Sequence, residues 1–272
     1  MCKVKDNVKE KLIFRSYLNM KVTFLGTGTS QGVPVIACTC PVCSSGDKKN
    51  KRLRCSIHIE TGNLQFVIDT GPDFRQQMLR AGIKKVDAIL YTHEHKDHTA
   101  GLDDIRAYNY VLERAIDIYL SEHVEKALKR EFAYIFDADK YPGIPQVVLH
   151  RINNSPFMLG AQQITPIQVT HYKLPVFGYR IDDFCYITDA KTIPATERQK
   201  MKGLKCLVIN ALRKETHSSH LTLQEALDII ADVKPAMAYI THISHQLGLH
   251  ADIEAELPEG VHLAWDGLEL SF

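Results

Sequence analysis

Short β-branched and aromatic runs alternate along this chain with segments whose apolar residues fall three or four apart. Residues 22–25, 56–60 and 64–69 read as strands, the last two joined by a turn at Thr61-Gly62-Asn63. Residues 73–81 fit a helix, 86–92 a buried strand, and 116–120 another strand. Residues 122–136 show the helical spacing of Val124, Leu128, Phe132 and Ile135, and 140–145, with Pro142 and Pro145 around Gly143, read as a loop. In the second half, 163–170, 177–181, 184–188, 206–210, 236–241, 261–265 and 268–272 read as strands. Residues 194–202 fit a helix with Pro194 in its first turn, and 222–233 a helix capped by Thr222 with Glu225 three positions on. This order predicts an α/β chain with two sheets, each covered by helices on its outer face, better than one doubly wound sheet. No Gly/Ser-rich or Pro-rich linker divides residues 20–272, which read as one domain; 1–19 read as a loosely attached extension ahead of Met20.

Composition changes that picture little. Of 272 residues, 45% are apolar and 24% charged, ordinary for a globular protein, so disordered and fibrous classes drop out. The net charge of +1 gives no field for wrapping a long nucleic acid. No apolar stretch reaches the roughly 18 residues of a membrane span, and 1–19 lack the apolar core of a secretory signal. Seven cysteines (Cys2, Cys38, Cys40, Cys43, Cys55, Cys185 and Cys206) without such a signal point to reduced thiols and a cytoplasmic setting.

The candidate chemistry begins where the 86–92 strand runs into His93-Glu94-His95-Lys96-Asp97-His98. Imidazoles at alternate positions can converge on one ion, while Asp97 and His98 reach a second. His171, Asp189 and His242 each follow a predicted strand, and such ends gather at one rim of an α/β fold. A second cluster, Cys38-Thr39-Cys40-Pro41-Val42-Cys43, needs one further N or S ligand to close a tetrahedral zinc site.

His93, His95, Asp97 and His98 fill the H-x-H-x-D-H signature of the metallo-β-lactamase superfamily, which the chain resembles. The resemblance implies a four-layer αβ/βα sandwich. It implies that His93, His95 and His171 hold one metal, Asp97, His98 and His242 the other, and that Asp189 bridges them. Asp69 matches the superfamily's strand-end aspartate and would orient the ligand loop. The run Gly26-Thr27-Gly28-Thr29-Ser30-Gln31-Gly32-Val33-Pro34, followed by the cysteine loop, narrows the resemblance to the PhnP-like phosphodiesterases. There the fourth zinc ligand lies in a T-H-I-S-H segment, here Thr241 to His245, which implies His245 beside Cys38, Cys40 and Cys43.

Two ions would lower the pKa of bound water towards ~7 and supply a nucleophile at neutral pH. Thiolates select zinc in the structural site, whereas the larger site suits zinc, manganese or iron. By resemblance to PhnP and tRNase Z, His220 contacts the phosphate and protonates the leaving oxygen, with Asp97 the other catalytic residue. His217, next to His220, reads as a surface histidine, and Lys48, Lys49 and Lys51 as members of a solvated loop; Arg54, directly before a strand, could instead approach the substrate phosphate. The expected activity is hydrolysis of a small phosphodiester, a cyclic nucleotide among the candidates. A tRNA 3′-processing endonuclease, a lactone or thioester hydrolase, and a non-catalytic metal scaffold are the rivals. No basic insertion able to grip a large nucleic acid is present, and no membrane partner is expected. The resemblance admits a homodimer, though no segment of the sequence marks an interface.

Overall fold

The computed structural model describes residues 20–137 and 142–272, so the 1–19 extension, Cys2 and the first part of the 140–145 loop lie outside it. Its first strands are β1 (Met20–Gly26), β2 (Ser56–Thr61), β3 (Leu64–Ile68), β4 (Ala88–Leu90), β5 (Ile116–Leu120) and β6 (Val147–Arg151). The later ones are β7 (Phe157–Leu159), β8 (Gln162–His171), β9 (Leu174–Ile181), β10 (Phe184–Tyr186), β11 (Cys206–Asn210), β12 (Met237–Thr241), β13 (Val261–Leu263) and β14 (Glu269–Ser271). They form two mixed seven-stranded sheets, ordered β14-β1-β2-β3-β4-β5-β6 and β13-β12-β11-β10-β9-β8-β7.

Alternation along each strand feeds two cores at once. In β3, Phe66 and Ile68 point between the sheets, where they join Ile57, Ile59, Tyr179, Phe184 and Val208; Val67 points outward to Phe74 and Met78. Phe74 and Met78 belong to α2 (Phe74–Ala81), which follows the short α1 (Pro41–Ser44). The outer face of the first sheet also takes α5 (Glu122–Glu131), after α3 (Lys96–Thr99) and α4 (Arg106–Leu112). After α6 (Ala133–Phe136) and α7 (Ala195–Lys200), α8 (Leu223–Val233) and α9 (His250–Glu256) cover the second sheet through Ala226, Ile229, Ile230, Val233 and Ile253. Full burial of each large aliphatic side chain contributes about 1.5–3 kcal/mol, so the helix–sheet–sheet–helix stack holds itself together. This is the expected four-layer sandwich.

Several element boundaries differ from the sequence expectation for local reasons. The 86–92 strand shrinks to β4 because Thr92 turns its N–H to the Asp69 carboxylate, 2.8 Å away, instead of to a neighbouring strand. The 122–136 helix breaks at Phe132 (φ −119°, ψ 43°) into α5 and α6. Pro194 caps α7 rather than entering it, while Thr222 and Glu225 form the capping box read from the sequence.

Candidate metal centre

The candidate ligands lie where strands of both sheets end on one side. β3 and β4 are parallel, as are β10, β11 and β12, so their C-terminal ends share a rim. Asp69 follows β3, His93 follows β4, His171 ends β8, Asp189 follows β10, and His242 follows β12. Asp69, Asp189 and His242 have left-handed backbones, with φ of 66°, 58° and 55°. Such conformations cost on the order of 1–3 kcal/mol for a non-glycine residue and persist where the surroundings impose them, commonly at functional sites. The Asp69–Gly71 turn lies against α3: the Thr70 N–H donates to the His98 carbonyl at 2.8 Å, and a Cβ on Gly71 would collide with the Asp97 carbonyl.

Hydrogen bonds behind the ligands set which nitrogen each imidazole presents. The buried Asp69 carboxylate accepts the Thr92 N–H and hydroxyl, both at 2.8 Å, and the His98 Nδ1–H at 2.7 Å. His98 therefore turns Nε2, the nitrogen left for a metal, into the site. The Ser219 carbonyl accepts His171 Nδ1–H at 2.8 Å with the same result. Thr92 Oγ1, having donated its proton, accepts His93 Nδ1–H at 3.0 Å, which leaves His93 Nε2 facing His95 Nδ1 at 3.0 Å.

Ligand atoms of Asp97, His98, Asp189 and His242 lie within 4.8 Å of one another, and so do those of His171, Asp189 and His220. Asp189 belongs to both groups. The rings of His93 and His95 stand 5.7 and 5.0 Å from that of His171, so every ligand expected from the sequence reaches this one region. His98 Nε2 is 3.1 Å from Asp97 Oδ2 and 3.1 Å from Asp189 Oδ2. His242 Nε2 is 3.2 Å from Asp189 Oδ1. Yet His98 Nε2, His220 Nδ1 and both nitrogens of His242 are buried without a hydrogen-bond partner, a costly arrangement that divalent cations would relieve at His98 Nε2 and at one nitrogen of His242. The residues thus fit divalent metal ions.

Electrostatics agree. Burial pushes His93 well below the usual imidazole range. Burial opposes charge on Asp189 too, but His242 and His98 hold its carboxyl well below the usual carboxylate range. Against its own burial, His98 is driven well above its ordinary value by Asp97, Asp189 and Asp69. Carboxylates that draw a proton onto a ligand imidazole would give that place to a metal cation, with release of the proton.

The thiolate cluster is equally compact. His245 Nδ1 lies 3.3, 3.3 and 3.5 Å from the sulfurs of Cys38, Cys40 and Cys43. The N–S edge of a tetrahedral zinc site is roughly 3.5 Å, given Zn–S and Zn–N bonds of about 2.3 and 2.0–2.1 Å. The backbone N–H of Cys43, followed by His245, pushes Cys40 down to about 6, which favours the thiolate. The His242–His245 segment links the two clusters, because Ile243 pairs with Thr27 and Thr29 through 2.9 and 3.2 Å backbone bonds.

Some side chains depart from their expected places. Arg54 is not free to approach a phosphate: it pairs with Asp73 at 3.0 and 3.2 Å and donates to the Ser30 carbonyl. Lys51, read as solvated, donates to the Cys43 carbonyl at 3.0 Å, and Lys49 lies over the Trp265 ring. Arg52, which the same basic run conceals, is buried against Thr27 Oγ1 and the Ala264 carbonyl. His220 is buried, its ring 4.5 Å from that of His171 and 4.7 Å from that of His242. His217 is half-buried rather than a free surface group, 5.1 Å from the His220 ring. The H-x-x-H spacing ahead of the capped helix was the only sequence signal for it.

With fold and site in view, the chain belongs to the metallo-β-lactamase superfamily and, within it, to the PhnP family. The beta-lactamase superfamily domain matches residues 65–243. A solved structure described as a new diphosphatase from the PhnP family is 40% identical, with a TM-score of 0.88 over 94% of this chain and 98% of that one. Among curated relatives, an octanoyltransferase of Porphyromonas gingivalis is 38% identical over 253 residues, 92% of this chain and 51% of that protein. A ribonuclease Z of Exiguobacterium is 27% identical over 167 residues, 60% of this chain and 49% of that protein. The chain thus spans about half the length of these two curated relatives. It has the metallo-β-lactamase fold, with residue clusters suited to divalent metal ions. Among the described residues no helix is long and apolar enough to cross a membrane.

Proposed function

We propose that this chain hydrolyses small phosphodiesters, with His93, His95 and His171 holding one divalent ion, Asp97, His98 and His242 the other, and Asp189 between them. Zinc or manganese, with iron as a third option, suits these N and O ligands, and a structural zinc suits Cys38, Cys40, Cys43 and His245. Two such ions would supply an activated water and a clamp for phosphoryl oxygens.

The observation that carries the reading is His220, a buried imidazole beside Asp189, His171 and His242 that the ligand sets above leave free. Burial, then His242, push it down to about 3, which favours the neutral imidazole before substrate binds. The negative charge of a bound phosphodiester acts the other way and favours a proton on the ring as the leaving oxygen gains charge. Asp97 and Asp189 keep the region anionic enough to retain cations. Similarity to a PhnP-family diphosphatase supports phosphorus chemistry over the alternatives.

Acyl transfer chemistry is a second reading, favoured by the name of the Porphyromonas relative. One panel separates the two: a bis-aryl phosphodiester and cyclic nucleotides against octanoyl thioesters and lactones, with His220→Ala alongside. The phosphodiesters should turn over, and His220→Ala should lower kcat by ~10²–10⁴-fold at unchanged metal content. Turnover of thioesters or lactones alone, or an intact rate in the variant, contradicts the proposal.

A further inference from the structure

The loop carrying His217 and His220 forms one wall of the metal centre. Its base is pinned by the Leu212 N–H to the Leu221 carbonyl and by the Leu221 N–H to the Ala190 carbonyl, next to Asp189. Its other flank is tied to the His242 segment through the Ser244 N–H and the Leu212 carbonyl. His242, His220 and His217 follow one another outward, with ring centroids 4.7 and then 5.1 Å apart.

Two groups on this wall have binding capacity left over. Arg213 donates to the Glu215 and Thr216 carbonyls at 3.3 and 3.1 Å and to Gln246 Oε1 at 2.7 Å. All three acceptors are neutral, and among the described residues no carboxylate pairs with this guanidinium. Of its five N–H donors two remain, with the full positive charge. His217 Nδ1 accepts the Ser219 N–H at 3.3 Å, so the ring's proton sits on Nε2, for which the described residues supply no acceptor. Burial, then Arg213 and Lys191, hold His217 below its ordinary value, a sign of the positive potential gathered here. Lys191 itself is engaged by Glu225 at 2.8 and 3.0 Å. A charge held rigidly by its own loop and lacking a counter-ion suits an anionic ligand, and a guanidinium suits a phosphate.

We propose that Arg213 and His217 form a second phosphate subsite beside the metal centre, which binds the phosphate that is not cleaved and so favours organic diphosphates over isolated phosphodiesters. Arg213 holds two non-bridging oxygens and His217 Nε2–H a third, while His220 serves the phosphate at the metals. The inference rests on the phosphodiesterase reading for its turnover test but not for its binding test.

The metal-loaded protein and its Arg213→Gln and His217→Gln variants are compared on a dinucleoside diphosphate and on bis-p-nitrophenyl phosphate. The ratio of kcat/KM, diphosphate over monophosphodiester, should fall about tenfold or more in Arg213→Gln, carried by KM, as expected for loss of a charged hydrogen bond. It should fall less in His217→Gln. Damage to the loop alone would lower both substrates and leave the ratio intact, which overturns the subsite. Calorimetric binding of ADP against AMP provides a readout without turnover. Wild-type protein should prefer ADP, and Arg213→Gln should lose that preference. If neither diester is hydrolysed, the phosphodiesterase reading fails, while an Arg213-dependent ADP preference still upholds the subsite. No preference for ADP, or one that survives both variants, refutes it.

Discussion

Replacing Asp69 by asparagine tests whether the metal site depends on the hydrogen bonds behind it. The substitution conserves shape, and asparagine tolerates the 66° φ at this position, so backbone strain should not change. What changes is acceptor capacity. The carboxylate receives three donors, from the Thr92 N–H, the Thr92 hydroxyl and His98 Nδ1–H. An amide offers one oxygen and replaces the other by a donor. If its oxygen stays with Thr92, its NH₂ faces His98 Nδ1, and the imidazole must move its proton to Nε2, the atom meant for the metal. Loss of such a supporting partner costs about 10–100-fold in metal affinity, or roughly 1.4–2.7 kcal/mol. Competition with a graded series of chelators, read by metal analysis, should show one catalytic ion bound that much more weakly, with the thiolate zinc unaffected. Unchanged affinity for both catalytic ions would mean that Asp69 does not set the His98 tautomer, and the reasoning fails.

Three further outcomes follow from the same structure. Cys40→Ser should remove the structural zinc and, because the Thr27–Thr29 turn and the His242–His245 segment lose their clamp, lower Tm by roughly 10 °C; a zinc that stays bound contradicts the tetrahedral assignment. His58, buried in β2, is pushed down to about 4 from an ordinary 6.5, first by burial and then by Lys21. Its neutral form is fully compatible with folding above pH 6.5, and below that pH the unfolded chain gains a proton that the folded one refuses. Stability should therefore drop by about 2 kcal/mol from this group between pH 7 and 5, and urea titrations should show that drop shrinking in His58→Gln; equal pH sensitivity in both proteins argues against it. Gly71→Ala should destabilise the protein and weaken metal retention together, since its methyl group meets the Asp97 carbonyl; wild-type metal content with lowered stability would separate the two effects.

Much of the site was legible because its densest part is local. His93 to His98 and Cys38 to Cys43 each lie within six positions, so spacing alone announces the chemistry. His171, Asp189 and His242 were legible as strand ends, and Thr222 with Glu225 announced α8. What was not legible depends on distant partners. Strand β4 stops early because Asp69, 23 residues away from Thr92, takes its N–H. The short α3, α4 and α9 carry too little periodicity to stand out, and tertiary packing fixes them. Arg52 hides in a basic run that reads as a solvated loop, and its burial follows from Ala264, 212 residues on. The left-handed turns at Asp189 and His242 leave no mark in the sequence, and the row of rings that draws His217 inward shows there only as the H-x-x-H spacing.

The most direct measurement is a count of metal ions on the purified protein before and after mild chelation. Three ions per chain, two released by the chelator with loss of hydrolysis and one retained by the cysteine cluster, is the expected result. A single ion per chain, held by Cys38, Cys40, Cys43 and His245, with hydrolysis intact, would contradict the two-metal account.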